Sequence, residues 1–368
     1  MELKIGCDPE LWIFDKKLGK IISAHGLFPG TKAEPYAVTH GAVQVDGMAA
    51  EFNINPASSA EEFTFYVLSV LKDLRDLIKQ HNPDLDFDFV FSPVAEFGKE
   101  YIDAQPLEAK QLGCTPDFNA YEDGAMNPTP DAEMPFRTAS GHIHIGWGTD
   151  YDIKDPEHIE ACCMMSKQMD QYVGGVITAT GDDTEFKRRE LYGKAGAFRP
   201  KFYGVEYRTP SNVWLRDAEW IEAVFTRTKN AFNELLDGYR AYEGGAGAVV
   251  AINTGHKIRS YFGDWKGYYG NYSPVTVDTL DKLVEHHQRA LLMEAMIDED
   301  DQPDVEIEPW DEEDDIDLMD IHMPEPVQVP AGRWVVDHHL IQPGAVNVVR
   351  ANVNEFHLEA IDDVDEAI

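Results

Sequence analysis

Four times along this 368-residue chain, a stretch of strand character built from Ile, Val, Phe, Tyr and Trp carries two polar residues at positions i and i+2. The pairs are Asp8/Glu10, Glu51/Asn53, His142/His144 and Glu206/Arg208. Side chains two apart on a strand leave the same face, so each pair is presented together. Taken singly, each has a plain explanation: a charged strand edge, a half-solvated face, a modest salt bridge. Taken jointly, they describe a sheet face that gathers carboxylates, imidazoles and a guanidinium. Such a face is costly unless cations sit among the carboxylates. The donor set suits hard divalent ions, Mg or Mn.

Overall charge narrows the partners. The chain has 67 acidic against 31 basic side chains, a formal net charge of −36. Nucleic-acid binders need clustered Lys and Arg to release counterions, and anionic membranes need the same, so neither is expected as a partner. Fourteen Asp or Glu fall among the 23 residues from Asp298 to Asp320, with no Lys or Arg. That run reads as a solvated insert rather than a packed element. The opening MELKIGCDPELWIF has charges inside its apolar stretch, so neither a signal peptide nor a membrane anchor is expected, and no later stretch approaches the ~18 apolar residues of a spanning helix. Cys7, Cys114, Cys162 and Cys163 lack CxxC spacing, consistent with a soluble protein of a reducing cytosol.

Interleaved strand and helix patterns without regular βαβ spacing predict an α+β fold with a mostly antiparallel sheet flanked by helices. The expected strands are Ile5 to Phe14, a hairpin over Gly41 to Ala57 turning at Asp46-Gly47, Phe87 to Val94, Ala139 to Trp147, and Lys201 to Leu215. Helices are expected after Ser58 and Ser59, which precede Glu61 and Glu62 at capping-box spacing, over Glu157 to Val173, from Asp217 to about Tyr239, and over Thr279 to Ile297.

Cations are scarce, yet seven of them, Lys187, Arg188, Arg189, Lys194, Arg199, Lys201 and Arg208, crowd into Glu185 to Arg208, with Arg137 upstream. Phosphate oxygens are natural partners of such a cluster, bridged by metal ions. A basic face that merely offsets nearby acidity is the plainer alternative. No GxxxxGK[ST], GxGxxG or GxSxG motif occurs in a suitable context, which argues against a P-loop enzyme, a Rossmann dehydrogenase and a serine hydrolase.

The segments IGCDPELWI, VDGMAAEFNINPA, GCTPDFNAY, SGHIHIGW and YGKAGAFRPKFYGVEYRTPSNVWL together resemble the phage-associated carboxyl-amino ligase family, type 2, amidoligases of the glutamine synthetase and glutamate-cysteine ligase superfamily. The resemblance spans about Met1 to Tyr239; the chain from Ala246 onward resembles nothing recognisable. It implies a curved antiparallel sheet holding ATP and two or three Mg ions on its concave face, in the host cytoplasm if the protein is phage-encoded. Carried over residue by residue, Asp8 and Glu10 would face different metals. Glu51, with Asp46, would share the metal of Glu10. His142 and Glu206 would join Asp8 at the other, with His144 a further candidate ligand. Asp8 stands where the superfamily usually has Glu. Arg208 would hold the transferring phosphoryl group, while Arg189, Lys194, Arg199 and Lys201 would contact nucleotide phosphates or substrate carboxylate.

The implied reaction activates a carboxylate as an acyl phosphate, which an amine then attacks. The implied organisation is a catalytic domain over 1–297, an acidic insert over 298–330, and a strand segment with an acidic tail over 331–368. Two competing readings are a metal-dependent hydrolase using HxH with carboxylates, and a non-catalytic phage structural or interaction protein that retains the fold.

Overall fold

The computed structural model describes residues 2–110, 117–127, 134–244, 246–262 and 273–297. The expected insert and C-terminal segment, and Cys114, lie outside the described residues. Two antiparallel sheets and a layer of helices form an α+β fold, as the interleaved patterns predict. The first sheet runs in the order Lys4–Cys7, Ile143–Gly146, Gly204–Tyr207, Ala197–Lys201, Phe118–Asn119 and Ala125–Met126. The second runs Lys20–Ile22, Glu10–Asp15, Ala49–Ile54, Gly41–Asp46 and Tyr36–Val38, and Phe87–Val90 also pairs with Glu10–Asp15. A two-stranded ribbon joins Val94–Glu96 to Phe136–Thr138.

The expected single strand from Ile5 to Phe14 is divided between the two sheets at Asp8-Pro9. Proline has no N–H to give a ladder. The amides of Asp8 and Glu10 on either side bond to the carbonyls of His142 and Ser140, while the Pro9 carbonyl accepts from Phe52 in the second sheet. Lys201 to Leu215 is likewise not one strand. It turns at Phe202-Tyr203, leaves the sheet after Tyr207, and ends in a short 3-10 helix, Asn212–Arg216. Phe87 to Val94 divides between the second sheet and the ribbon.

The helix Ala60–His81 begins where the capping box places it. Ser59 accepts from the Glu62 amide at 3.1 Å, and Glu62 accepts from the Ser58 amide at 2.7 Å. Its stripe of Phe63, Val67, Leu71, Leu74 and Ile78 is fully buried, each such side chain contributing about 1.5–3 kcal/mol. It packs against the helices Ala218–Leu236 and Leu280–Ile297. Arg75 reaches across to Asp281 at 2.8 Å. The helix Pro156–Met169 backs the first sheet, then widens into a π turn at Asp170–Gly174 where one long helix was expected. This helical layer leaves the opposite faces of both sheets, and the seam between them, for polar groups.

Candidate active site

At the seam three of the four sequence pairs converge, joined by Glu51 from the fourth. In the first sheet His144 sits across from Glu206, which in turn sits across from Arg199. The amide of Asp8 bonds beside them. Oxygen and nitrogen atoms of Asp8, His144 and Glu206 lie within 4.8 Å of one another. His144 Nε2 is 3.0 Å from Asp8 Oδ1, and His142 Nδ1 is 3.4 Å from the same atom and 3.6 Å from Glu206. His144 thus completes the tightest set, with His142 alongside.

A second set belongs to the second sheet. Glu10 pairs in register with Glu51, and Asp46 closes the same hairpin, so that Glu10, Asp46 and Glu51 also lie within 4.8 Å of one another. Asn53, the partner of Glu51 in the sequence pattern, is in neither set.

The two sets differ in how the protein balances their charge. In the first, Lys201 Nζ is 2.6 Å and Arg199 3.5 Å from Glu206, and Arg208 bonds it directly. Burial would raise the Glu206 carboxyl, but Arg208 together with His144 and His142 outweighs it and holds the group well below the usual range. Desolvation works against the half-buried Asp8 carboxylate too, yet His144 and His142 hold it down. His142 goes the other way, lowered to about 4 by burial and then by Arg208, so it is neutral at pH 7.

The second set has little such help. Gln44 donates to Glu51 at 2.6 Å, Ser140 donates to Glu10 from its amide at 2.7 Å and its hydroxyl at 3.0 Å, and Lys32 meets Asp46 at 2.8 Å. Burial and the Asp46 charge push Glu10 up to about 7, and burial with the charges of Asp8, Glu10 and Asp46 pushes Glu51 well above the carboxylate range.

These groups fit divalent cations. Asp8 Oδ1 and His144 Nε2 are buried 3.0 Å apart without a properly directed hydrogen bond, and Glu206 Oε2 beside them meets the Lys201 ammonium. The second set is a surplus of negative charge in one place, which an ion would neutralise.

The carboxylates divide two depressions. On one side a cleft of about 780 Å³ is lined by Asp8, Glu51, His144, Trp147, Phe202 and Tyr203, within the usual range for small-molecule sites. On the other lies a small pocket containing Glu10, Asp46, His142, Arg137, Arg188 and Arg208.

The basic stretch is sorted by the fold. Arg199, Lys201 and Arg208 reach the first set, but Arg189 does not. It is buried in an ion pair with Glu185 at 2.9 Å and also bonds Thr178. Arg188 and Arg189 are successive residues at the end of the helix Thr184–Arg188, where side chains diverge by about 100°, so only one can face the site. Lys194 is exposed and enters neither set.

Several residues of the site carry little signal in the sequence. Asp117 holds Arg208 through its Nε, opposite Glu206. It lies in GCTPDFNAY, a segment whose cysteine is its more conspicuous residue. Gln44, two residues before Asp46, is another.

A sequence model of the phage phiEco32-like COOH.NH2 ligase-type 2 family matches residues 133–316, half of the chain. The chain belongs to that family. A family of this name joins a carboxylate to an amine, so substrates of those two kinds go with membership. The match contains His142, His144, Glu206 and Arg208 and runs beyond Ala246, further than the resemblance seen in the sequence. It leaves Asp8, Glu10, Asp46 and Glu51 outside, and these reach the family's residues only through the fold. No curated protein matches the chain. No helix among the described residues is long and apolar enough to cross a membrane.

Proposed function

We propose that this chain is an ATP- and Mg-dependent carboxylate–amine ligase with a glutamine-synthetase-like catalytic sheet, forming an amide through an acyl phosphate. The observation that carries this reading is the convergence of Arg199, Lys201 and Arg208 on Glu206, beside two carboxylate sets, in a chain of net charge −36. Phosphoryl transfer between anions asks the protein chiefly for position and for positive charge. A metal-dependent hydrolase would explain the carboxylates and leave the three cations without a task.

In this reading Asp8, His144 and Glu206 hold one ion, with His142 beside them, and Glu10, Asp46 and Glu51 hold another. Bound Mg would supply charge neutralisation at the phosphate and carboxylate oxygens. Arg208 is fixed on both sides, by Asp117 and Glu206, and is oriented to neutralise the transferring phosphoryl group. Arg199 and Lys201 add charge for the polyphosphate. The aromatic walls of the large cleft, Trp147, Phe202 and Tyr203, suit a nucleoside. A carboxylate oxygen attacks the γ-phosphorus and ADP leaves; the amine then attacks the acyl carbon, releasing phosphate and a proton.

The test is ADP release from ATP and Mg with a cell extract supplying the acid and the amine, and mass spectrometry for a product formed with loss of water. ADP formation that needs both co-substrates supports the reading. Product formation without nucleotide would sink it.

A further inference from the structure

Among the described residues, two guanidinium groups in the small pocket form no direct ion pair, although Glu185, Glu10 and Asp117 lie near enough to Arg188 to act on its charge. Arg137 is 6 % exposed and Arg188 0 %, and both line the pocket, which has a volume of about 40 Å³. Among the described residues, Arg137 donates to the carbonyls of Met134 and Phe136 at 2.9 Å and Lys110 at 3.3 Å. Arg188 donates to the carbonyls of Thr209 at 2.8 Å and Arg208 at 3.3 Å. The Nε of each is buried without a hydrogen-bond partner. Three other buried arginines are paired with carboxylates: Arg189 with Glu185, Arg75 with Asp281, Arg208 with Asp117 and Glu206.

A buried charge without a partner is expensive to keep. Burial, and then the neighbouring Arg189, pushes Arg188 down to about 10, and burial lowers Arg137. The backbone is nevertheless shaped to hold Arg188 there. Gly193, at φ +75°, passes so close that a Cβ would lie 1.8 Å from the Arg188 terminal nitrogen.

We infer that this pocket receives a carboxylate group of the acid substrate, held between Arg137 and Arg188. This rests on the ligase reading for the identity of the ligand. Planar guanidinium forks match carboxylates in geometry as well as charge. At about 10–15 Å³ for each water-sized site, the pocket has room for roughly three heavy atoms, the number in a carboxylate. Glu10 and Asp46 also line the pocket and would repel an anion unless a cation neutralises them, so Mg is present in the test.

The experiment is calorimetric titration of the full chain, with Mg and without nucleotide, using glutarate and inorganic phosphate as probes. Glutarate is expected to bind saturably, with affinity at least tenfold weaker in Arg188→Met and in Arg137→Met, and phosphate is expected not to displace it. Absence of glutarate binding, displacement by phosphate, or unchanged affinity in folded variants overturns the proposal. If circular dichroism shows a variant unfolded, the competition between the two probes on the natural chain decides. ADP formation without glutarate binding removes this site alone. Glutarate binding without ADP formation supports the site and removes the ligase reading.

Discussion

Glu206 and His144 face each other as register partners on neighbouring antiparallel strands, with no residue of either chain segment between them. Their side chains therefore share one face and one charge environment, and Asp8 completes the set from the adjoining strand end.

Replacing Glu206 with Gln keeps the shape and removes the charge that Arg199, Lys201 and Arg208 converge on. Arg208 retains Asp117, so the fold is expected to survive. ADP release should fall on the order of 10²–10³-fold, the usual cost of losing one electrostatic contact to a transition state. Undiminished turnover at saturating Mg would remove Glu206 from the reaction.

The second carboxylate set should make the metal-free protein sensitive to alkali. Glu10 is raised to about 7 and Glu51 well above its ordinary value. A carboxyl raised in the fold binds more protons folded than unfolded between its two pKa values, so stability falls as pH rises through that window. His142, lowered to about 4, acts in the opposite sense only below its unfolded value of 6.5. From pH 6.5 upward through about 7 the melting temperature without metal should therefore drop, each pKa unit being worth about 1.4 kcal/mol, with Asp170, also raised to about 7, adding to the fall. Mg should reduce the drop, and Glu51→Gln should make it shallower. A flat profile in the natural chain would refute the charge surplus.

Arg189 and Arg199 should separate stability from binding. Arg189→Met leaves Glu185 buried and unpaired, a change that costs about 3–5 kcal/mol. Arg199 is partly exposed at the first set, and Arg199→Ala should hardly change melting while raising the KM for ATP roughly tenfold, about 1.4 kcal/mol. Chemical denaturation and steady-state kinetics on both variants check the contrast. The reverse assignment of effects would show that the nucleotide lies elsewhere.

Gly193→Ala places a methyl group against Arg188 at a left-handed backbone position. The conformational cost alone is about 1–3 kcal/mol, so the melting temperature should fall by several degrees. A variant as stable as the natural chain would mean that the loop can move away from Arg188.

The i, i+2 pattern made the carboxylate sets legible because period-two alternation is local and survives any sheet arrangement. It could not say that Asp8 and Glu10 occupy different sheets, since that depends on where Pro9 interrupts the ladder. It also could not divide seven clustered cations between a site and a core. Arg188 and Arg189 are neighbours in sequence and differ only in which way the end of a short helix turns them. Asp117 was hidden for another reason. A lone acidic residue in a loop carries no periodic signal, and its importance comes from a contact with Arg208, 91 positions later. The helices were the clearest elements, since caps such as Ser59 and long apolar stripes leave few alternatives.

Only Pro9 separates Asp8 from Glu10, and the two carboxylates belong to separate sets. A pyrrolidine ring locks the backbone rotation there, and hydrogen bonds from both neighbours hold it to the Ser140–His142 segment. The spacing between the two halves of the site is thus gauged by a rigid one-residue strut. One residue of fixed φ sets the distance between the two halves, so the protein carries its own ruler.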